Sequence, residues 1–384
     1  MADGAATTRD LRGLRRSSTV ASVGDGVVAV ALPLLATAVS RDPLAIAGVI
    51  AAQHLPWIVV AIAWPLLAGD RRTWVGGVDT VRALALGLLG VLALAGRETI
   101  LDVQLAAAVV GLGEALRDGA ESDAGDVRGI STHGMTALAA VGLPLGGLLY
   151  EIFPATPFLF DVLAFAVAAL LALLVRTRVD ADPEVAAGLP AFAPRTVGVS
   201  AVAALAAMAS SAVLGVLVLF ALQDLGLGAP AFGFLLAGLA ATSAAGAFVA
   251  PEVGRALGLK PGIAVALALA GGGWVTASRV ADPAQPWASA LALGIAAGSS
   301  MVAAVLVRAL LARAHGRPVT GRALRAFHLA VWSAIPLGAL LGGAIGRERG
   351  VSDVLIAAGA TAVVAILPLS TVASRNRLTA AEAP

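Results

Sequence analysis

The sequence predicts an all-α integral membrane protein whose twelve transmembrane helices form two pseudo-symmetric six-helix bundles. Three observations predict this fold: the composition, the succession of apolar segments, and a proline-containing motif that occurs once in each half. Hydrophobic residues make up 59% and charged residues 13% of the 384 residues, against about 45–50% and about 25% in soluble domains. The mean hydropathy is +0.91. This composition excludes a soluble globular domain.

A helix needs about 20 mostly apolar residues to cross a bilayer, and twelve segments of the chain meet that length. The segments are 18–39, 44–68, 74–95, 100–119, 131–150 and 155–176, then 196–222, 229–250, 260–280, 286–312, 322–345 and 350–372. The expected domains are an N-terminal bundle over 1–176, a cytoplasmic linker over 177–195 that carries acidic residues and prolines, and a C-terminal bundle over 196–384. The first segment is too long for a typical signal-peptide core, so we expect it to remain as the first helix.

The basic residues are distributed unequally between the two sides of this arrangement. With the N-terminus in the cytoplasm, 21 of the 26 Lys and Arg residues fall on the cytoplasmic side. Short cytoplasmic loops carry such an excess in membrane proteins. The sequence therefore predicts a multi-pass protein of the plasma (inner) membrane with both termini in the cytoplasm.

The repeated motif contains a proline and small residues at helical spacing. Its members are Gly142, Pro144, Gly146 and Gly147 in the first half, and Pro336 and Gly338 in the second. The two prolines are 192 residues apart, half the length of the chain. Membrane helices tolerate proline, and small residues let neighbouring helices approach closely. We therefore expect a helix-packing element that occurs once in each of two related halves.

Three ionisable side chains at membrane depth are candidates for proton coupling: Asp25, Glu114 and His54. Asp25 lies about seven residues into the first helix, roughly 10 Å deep at a rise of about 1.5 Å per residue. Charged groups at such depth are costly and are usually functional. Asp25 either binds the coupling proton or pairs with an arginine to hold the cytoplasmic gate. His54 either relays protons or is a neutral group hydrogen-bonded to a facing helix.

Asp79 and Arg82 are three residues apart in the third helix and therefore share one face. We expect them to form a charge network near the cytoplasmic mouth together with Asp25 and Glu114, chiefly as a structural gate. Asp161, in the outer third of the sixth helix, either caps the helix or pairs locally, or has a role in transport.

Several strings resemble the major facilitator superfamily of transporters, and in particular its actinobacterial branch of drug and siderophore exporters similar to the enterobactin exporter. In chain order they are Gly24-Asp25-Gly26, Val30 to Ala36, Leu55-Pro56-Trp57, Val78 to Leu84, Gly111 to Leu116, Pro144-Leu145-Gly146-Gly147 and Pro157 to Asp161. Their order and spacing cover nearly the whole chain. The motif in the fifth helix resembles that of proton-coupled exporters, which favours export.

The resemblance also has departures. The gating loop between the second and third helices is compressed to Gly69-Asp70-Arg71-Arg72, although Asp70 and Arg71 remain as gate candidates. In the family the first, fourth, seventh and tenth helices line the cavity. Besides Asp25 and Glu114, the polar or sulfur-containing candidates on these helices are Ser210, Ser211, Ser299, Ser300 and Met301. So few polar groups favour an apolar or amphipathic ligand.

The resemblance and the residues together predict a secondary transporter that exports a small lipophilic or amphipathic compound in exchange for protons by alternating access. An importer or facilitator on the same fold, and a non-transporting membrane partner or degenerate paralogue, are the alternatives. The expected partners are a small-molecule substrate, protons and the lipid bilayer, and the protein is expected to act as a monomer. With neither a phosphate-binding loop nor a nucleophile–base pattern, no enzymatic activity is expected. We expect no cofactor, no metal and no nucleic acid.

Overall fold

Twelve α-helices make up almost all of the computed structural model, which describes residues 2–63, 71–123, 131–173, 194–315 and 321–372. The helices are α1 (Ala2–Val39), α2 (Pro43–Ala63), α3 (Arg71–Ala95), α4 (Ile100–Asp123), α5 (Ser131–Ile152), α6 (Thr156–Leu173), α7 (Pro194–Leu219), α8 (Ala229–Ala256), α9 (Leu259–Arg279), α10 (Pro286–His315), α11 (Gly321–Arg349) and α12 (Val351–Val364). A π-helical turn, Phe220–Asp224, extends α7, and a 3₁₀ turn, Leu367–Thr371, follows α12.

The helices begin and end close to the predicted limits, with two differences that have physical reasons. α1 begins at Ala2 rather than near residue 18, because the basic segment before the apolar run has no proline and is rich in Ala, Leu and Arg, which favour helix. α12 ends at Val364, before Pro368, whose ring and missing N–H disfavour continuation of an α-helix.

Successive helices alternate in direction. We call the end of the bundle where α1 begins the near end, and the end where α2 begins the far end. Connections at the far end are tight: only Gly350 separates α11 from α12, and its φ of 100° suits glycine, which has no Cβ to clash in that region.

Nine helices in the described residues are long and apolar enough to cross a membrane. The described apolar parts of α5 and α6 are shorter, and α4 carries Asp102, Glu114 and Arg117 along its length. Large apolar side chains are exposed on the outside of the bundle, such as Phe248, Leu84 and Ile152. In a bilayer these side chains contact lipid rather than water. The chain is a multi-pass membrane protein.

The glycine–proline motifs pack each half around its first helix. Gly142 and Gly146 of α5 face the backbone of α1 at Val23 and Val27. Gly338 and Gly342 of α11 face the backbone of α7 at Met208 and Ala212 in the same parallel arrangement. Pro144 and Pro336 lie inside unbroken helices. The two motifs therefore hold equivalent positions in α1–α6 and α7–α12.

The two halves are joined mainly at the far end. Gly147 of α5 lies against Ala229 and Pro230 at the start of α8, and Gly343 of α11 lies against Leu44 near the start of α2. Arg347 of α11 also forms an ion pair with Asp42, at 3.7 Å between Nη1 and Oδ2.

The apolar core has the same asymmetry. Its largest cluster combines buried residues of both halves, and in the second half these lie toward the far end, from Ala270 to Ala277 in α9 and from Ala292 to Ala296 in α10. Toward the near end the described residues form separate clusters. One contains Val60 and Leu116 of the first half, and the other lies entirely within the second half. Among the residues whose side chains are described, the buried core thus joins the halves at the far end. Toward the near end, Trp57 of α2 packs on the first-half cluster and contacts Trp332 of α11.

Candidate functional site

Six ionisable side chains meet in the first half of the molecule and form what we call the charged cluster. Its members come from four helices: Asp25 of α1, Asp79 and Arg82 of α3, Glu114 and Arg117 of α4, and Asp161 of α6. Most are separated by long stretches of sequence, so only the packing of the helices brings them together. Buried charges are costly unless they are paired, and the contacts within the cluster follow from that cost.

Arg82 is the centre of the cluster. Its side chain is 0% exposed and forms a charged hydrogen bond to Asp25. Its guanidinium also lies 3.7 Å from an oxygen of Asp79 and 3.9 Å from an oxygen of Glu114. The Cζ atom stands 4.0 Å from the ring centroid of Phe165 in α6, a distance at which a cation is attracted to the ring face. Arg82 thereby links α1, α3, α4 and α6.

Asp79 and Arg117 form a second buried pair, between α3 and α4. Sequence reasoning placed Asp79 with Arg82 but gave Arg117 no role. A repeated spacing in the sequence could have indicated this pair. An acidic residue precedes an arginine by three residues in both helices: Asp79 and Arg82 in α3, and Glu114 and Arg117 in α4. Each spacing puts the two groups on one face of its helix, and the two faces meet.

Glu114 and Asp25 are the partly open members of the cluster, with side chains 24% and 25% exposed. Gln53 of α2 donates its amide to both oxygens of Glu114, at 3.2 and 3.3 Å. This contact is the second one that sequence reasoning missed, because Gln53 lies 61 residues away along the chain. Accepting two amide hydrogens is a role suited to an ionised carboxylate.

His54 does not join the cluster through any contact in the described residues. Its Nδ1 lies 2.9 Å from the carbonyl oxygen of Ile50, one turn earlier in α2. The bond is therefore to its own helix, whereas the sequence suggested a facing helix as the alternative to proton relay.

Asp161 is the most deeply buried carboxylate of the cluster, at 0% exposure. The expectation of a helix cap or a local partner is wrong for the described residues, where neither carboxylate oxygen has a hydrogen-bond partner. The side chain lies instead against Gly24 of α1, beside Asp25. Small residues make such approaches possible: a methyl group at Gly24 would meet Asp161 Oδ1 at 3.2 Å, and one at Gly113 would overlap the side chain of Arg82.

The remaining gate candidates, Asp70 and Arg71, lie where the described residues of α3 begin. Asp70 lies outside the described residues, and Arg71 begins α3 while its side chain lies outside the described part. The clustering at the near end is therefore established here for α1, α3, α4 and α6 alone.

The cavity candidates are distributed differently from the prediction. Ser211 is buried, donates to the carbonyl of Met208 at 3.1 Å and faces Gly338. It belongs to the contact between α7 and α11, where Gly338 lets the two helices approach closely. Ser299 borders an apolar groove of about 530 Å³ between α8 and α10. Ser210 and Ser300 are half-buried, and Met301 is exposed.

Aromatic side chains that sequence reasoning passed over meet between the two halves. Trp57 of α2 and Trp332 of α11 have ring centroids 5.0 Å apart, and Trp332 stacks on His328 at 5.0 Å. The indole N–H of Trp57 is buried without a hydrogen-bond partner in the described residues. All three side chains are half-buried, and their ring contacts join α2 to α11 across the two halves.

No protein-family model matches the chain, and no curated protein sequence does so. Solved structures do match over nearly its whole length. A bacterial homologue of the human lysosomal transporter Spinster, inward-facing and occupied, is 14% identical over 95% of this chain and 96% of its own, with a TM-score of 0.71. A bacterial homologue of the iron transporter ferroportin, inward-facing, is 16% identical over 96% and 99%, with a TM-score of 0.74.

The human organic anion transporter MFSD10 also matches, at 13% identity over 93% of this chain and 99% of its own, with a TM-score of 0.64. At sequence identities this low, the structural similarity establishes the fold alone. The chain therefore has the major facilitator fold, two related six-helix bundles, as its motifs predicted. The three similar proteins are described as transporters of different kinds.

Proposed function

We propose that this protein is a secondary transporter that works by alternating access between its two helical halves. The charged cluster is the observation that carries the proposal. A soluble or purely structural bundle has no need of six ionisable groups at membrane depth. In this chain Asp25 and Glu114 are partly exposed while the arginine between them is fully buried. Such a cluster can exchange protons with an aqueous cavity. Each proton bound or released changes the ion pairs that hold the four helices against one another.

The asymmetric core supports the same proposal. In the described residues the halves share one large buried cluster at the far end, whereas toward the near end their buried clusters are separate and the halves meet through Trp57 and Trp332. With the orientation predicted from the basic residues, the near end is cytoplasmic, so we assign this arrangement to a state whose outer side is the more firmly closed. Alternating access requires such a one-sided closure, which reverses when one half rocks against the other.

We further propose that the transporter exports a lipophilic or amphipathic compound, such as a drug, siderophore or secondary metabolite, in exchange for protons. The support is the sparse polar lining, the aromatic contact of Trp57 with Trp332 and His328 between the halves, and the motif resemblance. A sugar or peptide would need many more hydrogen-bonding groups than this interface has.

The test is transport of ethidium, a lipophilic fluorescent cation, in proteoliposomes with a pH gradient imposed in either direction. We expect ethidium to move against proton flow, and the movement to cease when a protonophore collapses the gradient. The Asp25→Asn variant should lose the response to the gradient, while Asp353→Asn, an exposed carboxylate at the start of α12, should keep it.

The opposite direction of coupling would make the protein an importer. Movement unaffected by any gradient would make it a facilitator. A broad compound panel that gives neither transport nor ligand-dependent thermal stabilisation would favour the non-transporting alternative.

A further inference from the structure

Asp161 is the one carboxylate of the charged cluster that has neither a hydrogen bond nor a close ion pair in the described residues. Asp25 accepts a hydrogen bond from Arg82, Asp79 accepts one from Arg117, and Glu114 accepts two from Gln53. Asp161 accepts none and is completely buried. An isolated ionised carboxylate in an apolar interior costs so much that the group takes up a proton instead.

The balance of charge gives an independent reason. The cluster contains four carboxyl groups and two guanidinium groups, so it carries two excess negative charges if every group is ionised. A proton on Asp161 removes one of these two charges.

Charged side chains face Asp161 from the helices that pack against α6. α6 packs against α1, α3 and α5. Asp25 faces Asp161 from α1 and Arg82 faces it from α3, with Asp79 and Glu114 grouped around that arginine. In α5, side chains are described from residue 141 onward, and the ionisable ones among them are Tyr150 and Glu151 at the far end.

Arg82 interacts electrostatically with both aspartates and forms a close ion pair with Asp25. Its guanidinium lies over the ring of Phe165, one helical turn after Asp161. The tip of that ring and Asp161 Oδ1 both pack tightly against Gly24, at 3.3 and 3.2 Å from the point where a Cβ would stand. A shift of the guanidinium along the ring, from Asp25 toward Asp161, is the movement that the proposal requires.

We propose that Asp161 is a buried proton-binding site, protonated while Arg82 pairs with Asp25 and deprotonated when Arg82 moves to it. The role of this site in transport rests on the proposed function, whereas the bound proton can be detected whether or not the protein transports anything. Asp25 and Glu114, being partly exposed, connect the buried site to the cavity. The proton on Asp161 then determines which aspartate holds the arginine, and so how α1 sits against α6.

The experiment is infrared difference spectroscopy of the full-length protein in lipid, with pH as the variable. A protonated carboxyl group has a C=O stretching band that a carboxylate lacks. We expect the wild type to show this band at neutral pH, and Asp161→Asn to lose the component that Asp161 contributes. Asp25→Asn, Glu114→Gln and the exposed control Asp353→Asn should keep that component. The amide in Asp161→Asn resembles the protonated carboxyl in size and charge, so this variant should fold.

Asp161→Glu provides a second variant should the amide fail to fold, and it should shift the band rather than abolish it. The proposal is overturned if the wild type has no such band, if Asp161→Asn loses no component of it, or if the same component disappears in Glu114→Gln instead. Ethidium transport is measured on the same samples. A band without any pH-driven transport would refute the proposed function and leave the proton site standing.

Discussion

At the scale of single residues, the buried position of Arg82 matters more than its charge alone. Arg82 and Arg255 both pair with an acid three residues earlier in the chain, Asp79 and Glu252 respectively. Arg82 is fully buried among three carboxylates, whereas the Arg255 pair is exposed at the surface. Breaking a buried ion pair by removing one partner leaves uncompensated charge, while most surface pairs contribute little.

We therefore expect Arg82→Met to lower the free energy of unfolding by about 3–5 kcal/mol, and Arg255→Met to leave it unchanged. Titration with a denaturing detergent, followed by circular dichroism, compares the two variants. Adding Asp25→Asn to Arg82→Met should recover part of the loss, because it removes one of the stranded charges. Equal stability of Arg82→Met and Arg255→Met would show that the cluster is not held by its arginine.

At the scale of helices, the glycines of the two motifs determine how closely α5 and α11 approach the first helix of their half. Gly338 packs on the backbone of α7 at Met208, so an added methyl group would overlap a carbonyl oxygen that cannot move independently of its helix. Gly272 in α9 offers the comparison, since a methyl group there meets no heavy atom within 4 Å in the described structure.

Gly338→Ala should therefore destabilise the protein by about 1–3 kcal/mol, the usual cost of overpacking, while Gly272→Ala should be neutral or slightly stabilising, since alanine favours helix. Thermal unfolding midpoints in one detergent measure both variants. If the two glycines tolerate alanine equally, the close approach of α7 and α11 does not depend on Gly338.

At the scale of the whole molecule, the proposed cycle requires the far end, where the two halves are packed together, to open. Asp42 and Arg347 mark the closed end, because their ion pair at 3.7 Å joins α2 to α11 across the two halves. The sequence contains no cysteine, so a pair of introduced cysteines can be cross-linked without side reactions.

We expect the double variant Asp42→Cys and Arg347→Cys to transport ethidium until a short bifunctional thiol reagent joins the two helices, and then to stop. Reductive release of a cleavable reagent should restore transport. Each single variant treated with the same reagent is the control and should stay active. Undiminished transport by the cross-linked protein would mean that the far end does not open during the cycle.

The sequence by itself determined the helices. Runs of about 20 apolar residues must form helices in a bilayer, where the backbone has no water to bond, and this made nearly every helix end predictable. The motif around Pro144 and its counterpart at Pro336 likewise predicted two related halves, because glycine spacing along one helix is a local property of the chain.

Only the tertiary structure decided which side chains meet. The pairing of Asp79 with Arg117, the bond from Gln53 to Glu114 and the isolation of Asp161 beside Gly24 each depend on how one helix is rotated and shifted against another. When nearly all faces of a helix are apolar, its hydropathy pattern does not show which face turns toward which neighbouring helix. The same reason explains why Ser211 was misplaced: a membrane helix can turn a small polar residue toward a cavity or a neighbour at similar cost, and the packing around Gly338 made the choice.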